Sequence, residues 1–278
     1  MTELPIYVMT KFLVGNSLEQ MAAKLAPLQL DGVDFLIRDG YPLAPDEVTP
    51  AKLKEIVEQF EMVGLSVPMI EHDMTDPDSN ITKRIYEASA ECGIKQMRLG
   101  LQQYDRNKSY QENFDRVRRR IAGFEELGRK YSVRGFFQQH GGSLYASASG
   151  MAMVLNGFDP KYVGFYADPG NQVAQEGREL PEVTFEVARE YLSFVGVKNA
   201  IITRNDGKWE GLWAPLPDGA VNWKEIVSHL DKIGYEGPLG LHGYYMNRDQ
   251  EQILAQIESD LKYLRSLISK ANKKIIKL

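Results

Sequence analysis

At 278 residues, 43% apolar and formally −5 at neutral pH, the chain is long enough to bury a large core, but it lacks the Lys and Arg surplus on which sequence-independent binding to a phosphate backbone rests. Its single cysteine, Cys92, forms no internal disulfide; no apolar run approaches the ~20 residues of a membrane span, and the opening Met-Thr-Glu-Leu-Pro lacks the basic and apolar regions of a signal peptide. The expectation is a cytoplasmic protein with no membrane and no nucleic-acid partner.

Taken in chain order, short apolar runs alternate with stretches of helical period. The pattern predicts strand 6–9, helix 17–25, strand 33–37, helix 49–63, strand 65–70 and helix 80–91. It continues with strand 94–99, helix 110–131, strand 133–137, helix 147–156, strand 163–167 and helix 180–191. Strand 194–197, helix 222–233, strand 239–241 and helix 249–268 complete it. Gly64, Gly93 and Gly234 read as helix stops, and Pro50 and Pro181 suit a first helical turn, where a missing amide hydrogen costs nothing. Eight buried strands alternating with helices predict a single α/β domain over 1–268, a (β/α)8 TIM barrel. A doubly wound open sheet is the runner-up, disfavoured because no glycine-rich phosphate loop follows the first strand. The tail 269–278, with four lysines, reads as a frayed helix end or an appended segment.

Barrels place their chemistry at the carboxyl ends of their strands. Those ends offer Lys11, Arg38, Glu71, His72, Arg98, Gln138, His140, Asp168, Lys198, Arg204, His242, Tyr244 and Tyr245. The remaining histidine, His229, falls mid-helix and reads as an outer-surface residue. Each strand-end residue also has a plain role available, capping a loop or answering a buried backbone group. Trp209, Trp213, Tyr244 and Tyr245 read either as a sugar-stacking wall or as ordinary packing.

These segments resemble the xylose isomerase-like TIM-barrel superfamily, in particular its sugar phosphate isomerase and epimerase branch. The likeness is carried by Pro217-Asp218-Gly219-Ala220-Val221-Asn222-Trp223 followed by Ile233-Gly234-Tyr235-Glu236-Gly237-Pro238. Phe137-Gln138-Gln139-His140-Gly141, Tyr166-Ala167-Asp168-Pro169-Gly170-Asn171 and Val197-Lys198-Asn199 support it. The resemblance implies a divalent metal, typically manganese, held by Glu, Asp, His and Glu from strands five to eight, with the glutamates moving protons beside a sugar carbonyl. Here those four positions read Gln138, Asp168, Gly196 and His242, so only the aspartate matches.

Replacing two glutamates by neutral Gln138 and His242 removes two anionic oxygens from a hard cation's shell, and a glutamine amide takes no proton near neutral pH. Two outcomes stay open. One is a rebuilt site in which Asp168, Gln138 and His242 hold a borderline metal such as zinc, or retain manganese. The other is metal-free chemistry with His242, His140 and Lys198 as catalytic groups and Arg38, Arg98, Arg204, Glu71, His72 and Trp213 binding the substrate. The expected activity is that of an isomerase, epimerase or lyase on a small sugar or sugar-acid ligand. The alternative is a non-catalytic or partner-dependent sugar-binding barrel that has lost its metal. An apurinic-site nuclease needs more metal ligands than this chain supplies. A homo-oligomer is left open.

Overall fold

The structure, a computed structural model, describes residues 4–175, 178–245 and 248–275. Strand β1 (Ile6–Met9) pairs in parallel with both β2 (Gly32–Ile37) and β10 (Leu239–Leu241), so the sheet closes. Around the ring stand β3 (Ser66–His72), β4 (Gln96–Arg98), β5 (Arg134–Gln138), β6 (Val163–Ala167) and β7 (Leu192–Val197), each parallel to its neighbours. This is the predicted (β/α)8 barrel. Closure removes the sheet edges that a doubly wound fold would keep.

The strands are buried on both faces, as β2 and β6 show at every residue. Outward side chains meet the helices, while Met69, Phe136, Tyr166 and Phe194 from β3, β5, β6 and β7 fill the barrel interior as a separate buried cluster. That plug is the floor beneath the strand ends.

The helices start where the sequence gives them caps. Ser17 and Ser109 form reciprocal capping boxes with Gln20 and Glu112 at α1 (Leu18–Leu25) and α4 (Tyr110–Tyr131). Thr49, Ser79, Ser147 and Asn222 cap α2 (Pro50–Glu61), α3 (Asn80–Glu91), α5 (Ala148–Leu155) and α8 (Trp223–Lys232). The Pro217 to Trp223 motif wraps the buried amide of Asn199. Its Nδ2 donates to the Leu216 and Val221 carbonyls, its Oδ1 accepts from the Ala200 and Val221 amides, and a Cβ at Gly219 would overlap that side chain.

Several boundaries differ from the sequence reading. Strand β3 runs on through His72, two residues past its predicted end, because Glu71 and His72 are buried and still paired to β2. The Asp-Pro-Gly-Asn segment opens a short helix, α6 (Pro169–Ala174), with the Asp168 carboxylate accepting the Asn171 amide at its start. The predicted helix 180–191 divides into α7 (Pro181–Glu186) and a single 3₁₀ turn at Arg189–Tyr191. An antiparallel hairpin of β8 (Asn199–Asn205) and β9 (Lys208–Ala214) stands outside the barrel sheet. His229 is buried rather than superficial, its ring stacked on Phe185 and its Nε2 3.1 Å from Glu186. Helix α9 (Gln250–Ile275) continues past the predicted stop at 268, and the last residues of the predicted tail, 276–278, lie outside the described residues. Among the described residues, no helix is long and apolar enough to cross a membrane.

Candidate active site

A cavity of about 1060 Å³ opens at the carboxyl ends of the strands. Lys198, one residue past β7, reaches into it along Trp213 and Tyr244, with Nζ 4.7 and 5.2 Å from the two ring centroids. The stem passes so close to α6 that a Cβ at Gly170 would overlap it, which is why that segment carries a glycine. Nζ ends 2.9 Å from Asp168 Oδ2, and the two side chains are 4% and 0% exposed. Gln138 Nε2 donates to the same oxygen at 2.6 Å, and the Asn171 amide donates to Oδ1 at 2.9 Å. The carboxylate thus takes three protein donors, two of them on Oδ2. Burial lowers the Lys198 pKa, and Asp168 works against that by favouring the ammonium.

On the neighbouring strands, Arg98 lies 2.8 Å from Glu71 and 3.4 Å from Asp73, and Arg38 lies 2.5 Å from Asp73. Burial alone would lower the Arg98 pKa, but Glu71 and Asp73 outweigh it and the guanidinium stays charged. Below Glu71 sits Asp34, fully inside the barrel. Burial first, and the facing Glu71 second, hold its carboxyl well above the usual carboxylate range.

The histidines have separate fates. His140 lines the cavity, and its Nδ1 lies 2.8 Å from the Gly141 carbonyl. A carbonyl only accepts, so Nδ1 carries the proton, and the Nε2 lone pair accepts a long contact of 3.4 Å from the Gln175 amide, which a substrate proton would have to displace. His242 is 1% exposed and does not line the cavity; its Nε2 shares a 2.6 Å hydrogen bond with the Tyr166 hydroxyl, and its Nδ1 is buried without a partner. Burial, then the nearby Lys198, Arg98 and Lys11, push its pKa well below the ordinary histidine value. His72 is buried against Met97 Sδ at 3.3 Å and accepts the Met74 amide, and burial lowers its pKa to about 3. It faces the barrel wall rather than the cavity.

The structure thus brings Arg38, Glu71, Arg98, Gln138, His140, Lys198 and Trp213 to one cavity, with Asp168 and His242 just beneath its wall. It leaves Arg204 apart, exposed on the hairpin beside Trp209, which is 68% exposed. Lys11 lines the cavity and donates to the Tyr244 hydroxyl at 2.9 Å. Arg116 and Arg120 of α4 also line it and belong to no strand end. Their i, i+4 spacing, which puts both on one helix face, is the signal that could have found them.

The four positions to which the resemblance assigns metal ligands do not fit a divalent cation. Gln138 turns its amide donor to Asp168, and Asp168 already holds an ammonium where a cation would bind. Gly196 has no space for a ligand, since a Cβ there would stand 2.8 Å from Tyr166 and 2.9 Å from His242. The His242 Nε2 is engaged by Tyr166. No group of three or more His, Cys, Asp or Glu suited to a metal gathers among the described residues.

Comparison with known proteins places this geometry in context. A family model described as xylose isomerase-like TIM barrel matches residues 22–267. An L-ribulose 3-epimerase superposes with TM-score 0.74 at 14% identity, over 98% of this chain and 97% of that one. A xylose isomerase-like TIM barrel protein from Mycobacterium smegmatis, solved in complex with magnesium, gives 0.73 at 14% identity, over 96% and 97%. D-psicose 3-epimerase from Clostridium cellulolyticum H10, solved with D-tagatose, gives 0.72 at 12% identity, over 95% and 99%. At such identities the structural likeness speaks to the fold alone. No curated protein sequence matches the chain significantly.

Proposed function

The chain belongs to the xylose isomerase-like TIM barrel family, and from that premise we propose that it shifts a proton between adjacent carbons of a small anionic keto sugar or sugar acid without a divalent metal. The observation that carries this reading is the Lys198 ammonium, bound 2.9 Å from Asp168 in the mouth of the barrel. It supplies there the positive charge that the resemblance assigns to a metal.

In this reading the substrate carbonyl oxygen faces Lys198 Nζ. The His140 Nε2 lone pair removes the proton from the carbon beside the carbonyl. The electron pair of the broken C–H bond forms the new C=C bond of an enolate, and the oxygen that gains charge is held by Lys198, with Lys11 nearby. Protonated His140 then returns the proton either to the former carbonyl carbon, while the hydroxyl proton of the adjacent carbon passes to the enolate oxygen and that adjacent carbon becomes the new carbonyl, or to the original carbon. The first return isomerises the sugar and the second exchanges its hydrogen with solvent. Gln138, Asn171 and Asp168 hold Lys198 in place, and Trp213 and Tyr244 give the sugar an aromatic wall.

The test is proton NMR in deuterium oxide across a panel of keto sugars, sugar acids and their phosphate esters. Deuterium incorporation should fall by about 10²–10⁴-fold in His140→Gln, the usual worth of a general base. Ligand binding with no exchange in the wild-type protein would instead identify a binding barrel and refute the proton-transfer reading.

A further inference from the structure

Among the described residues, six cationic side chains line the cavity: Lys11, Arg38, Arg98, Arg116, Arg120 and Lys198. Three of them are neutralised by Glu71, Asp73 and Asp168. Lys11 is spent in part on Tyr244, and burial, with Arg38 next, lowers its pKa. Arg116 and Arg120 remain, and among the described residues neither has a carboxylate within 4 Å.

Both arginines are held in position by neutral acceptors. One Arg116 amino group donates to the Gln103 carbonyl at 2.6 Å and to Asn113 Oδ1 at 3.0 Å, while its Nε is buried with no acceptor. Arg120 donates to Gln102 Oε1 at 3.0 Å. Gln102 is itself 1% exposed and donates Nε2 to the Thr75 carbonyl at 2.8 Å, so its oxygen end is the one left for Arg120. Two charged guanidinium groups one helical turn apart, anchored from behind and with donors to spare, suit a tetrahedral dianion better than a planar carboxylate, which a single arginine can grip in bidentate fashion.

We infer that Arg116 and Arg120, with Thr75 and Gln103 beside them, form a phosphate subsite, so that the substrate is a sugar phosphate monoester. Its phosphate docks against α4 while its reacting carbons lie at Lys198. The cavity volume, about 1060 Å³, stands at the top of the usual range for small-molecule sites and accommodates both ends. This inference rests on the proton-transfer reading only for where the reacting carbons lie; the subsite stands on its own geometry.

The probes are inorganic phosphate, ribose 5-phosphate, ribose and ribonate, with binding followed by ³¹P line broadening and by calorimetry. Ribose 5-phosphate should bind at least about tenfold more tightly than ribose or ribonate, and Arg116→Gln and Arg120→Gln should each weaken it by about tenfold or more. Arg119→Gln removes the same charge from the exposed face of the same helix and should change nothing. Arg116→Lys, which keeps the charge and loses the Nε donor, gives an intermediate loss and serves if the glutamine variant does not fold. Equal affinity for ribose and its phosphate, or an equal loss in Arg119→Gln, would overturn the subsite. Phosphate binding that depends on Arg116 and Arg120, with no proton exchange in any ligand, would uphold the subsite and sink the proton-transfer reading.

Discussion

Replacing Lys198 by methionine keeps the volume of the stem and removes the ammonium from a carboxylate that is 0% exposed. Breaking a buried pair by deleting one partner costs about 3–5 kcal/mol, because the remaining charge is stranded away from water. Gln138 and the Asn171 amide still donate to Asp168, which puts the expected loss near the lower end, about 3 kcal/mol. For a domain of this size that corresponds to a fall in Tm of about 6–12 °C. The reverse variant, Asp168→Asn, should cost less, since Lys198 is already disposed by burial to shed its proton once the carboxylate no longer favours the charged form. The double variant should recover most of the loss, because it strands neither charge. Urea and thermal unfolding of the three variants at pH 7 give the cycle. A Lys198→Met loss below about 0.5 kcal/mol, the scale of an exposed ion pair, would refute the claim that this ammonium supplies the compensating charge of a buried carboxylate.

Added manganese or magnesium at 1 mM should shift Tm by less than 1 °C. A site with Kd near 10 µM would contribute about 2.7 kcal/mol under those conditions, so a rise of several degrees that Asp168→Ala abolishes would contradict the misfit described above. Gly196→Ala should destabilise by about 1–3 kcal/mol, since its Cβ would stand 2.8 Å from Tyr166 and 2.9 Å from His242; unchanged urea unfolding would show that the barrel mouth is roomier than it looks. His72 is neutral in the folded protein down to about pH 3, whereas in the unfolded chain it gains a proton below about 6.5. The unfolded state then binds more protons, so stability falls as pH drops through that window, by about 2 kcal/mol between pH 6.5 and 5 for this group. His72→Asn should flatten the urea-derived stability curve by that amount over that range, and an unaltered slope would count against a buried neutral imidazole.

The fold was legible in the sequence because its signals are local. Apolar runs of strand length, capping serines and helix-stop glycines each act within a few residues, and their alternation leaves few architectures open. The barrel, its eight sheet strands and the placing of most candidate residues at one end follow from that alternation alone. The hairpin at β8 and β9 escaped because its residues are largely exposed, and its apolar ones, such as Ile201, Ile202 and Trp209, sit on no buried face that would set a period. His229 escaped for a related reason: its burial is set by Phe185 on another helix, which no local pattern encodes.

Within the site, the sequence identified the residue types that depart from the resemblance, Gln138, Gly196 and His242, and left open whether they rebuild a metal centre. Only the tertiary structure decides how those groups spend their donors and acceptors. It turns the Gln138 amide and the Lys198 ammonium onto one oxygen of Asp168, closes the space at Gly196, and engages His242 with Tyr166. It also carries Arg116 and Arg120 from a helix outside the barrel to a cavity built from strand ends. The physical reason is the same throughout: strand and helix period is written in neighbouring residues, whereas a buried charge is defined by partners that the chain brings from 30 or more positions away.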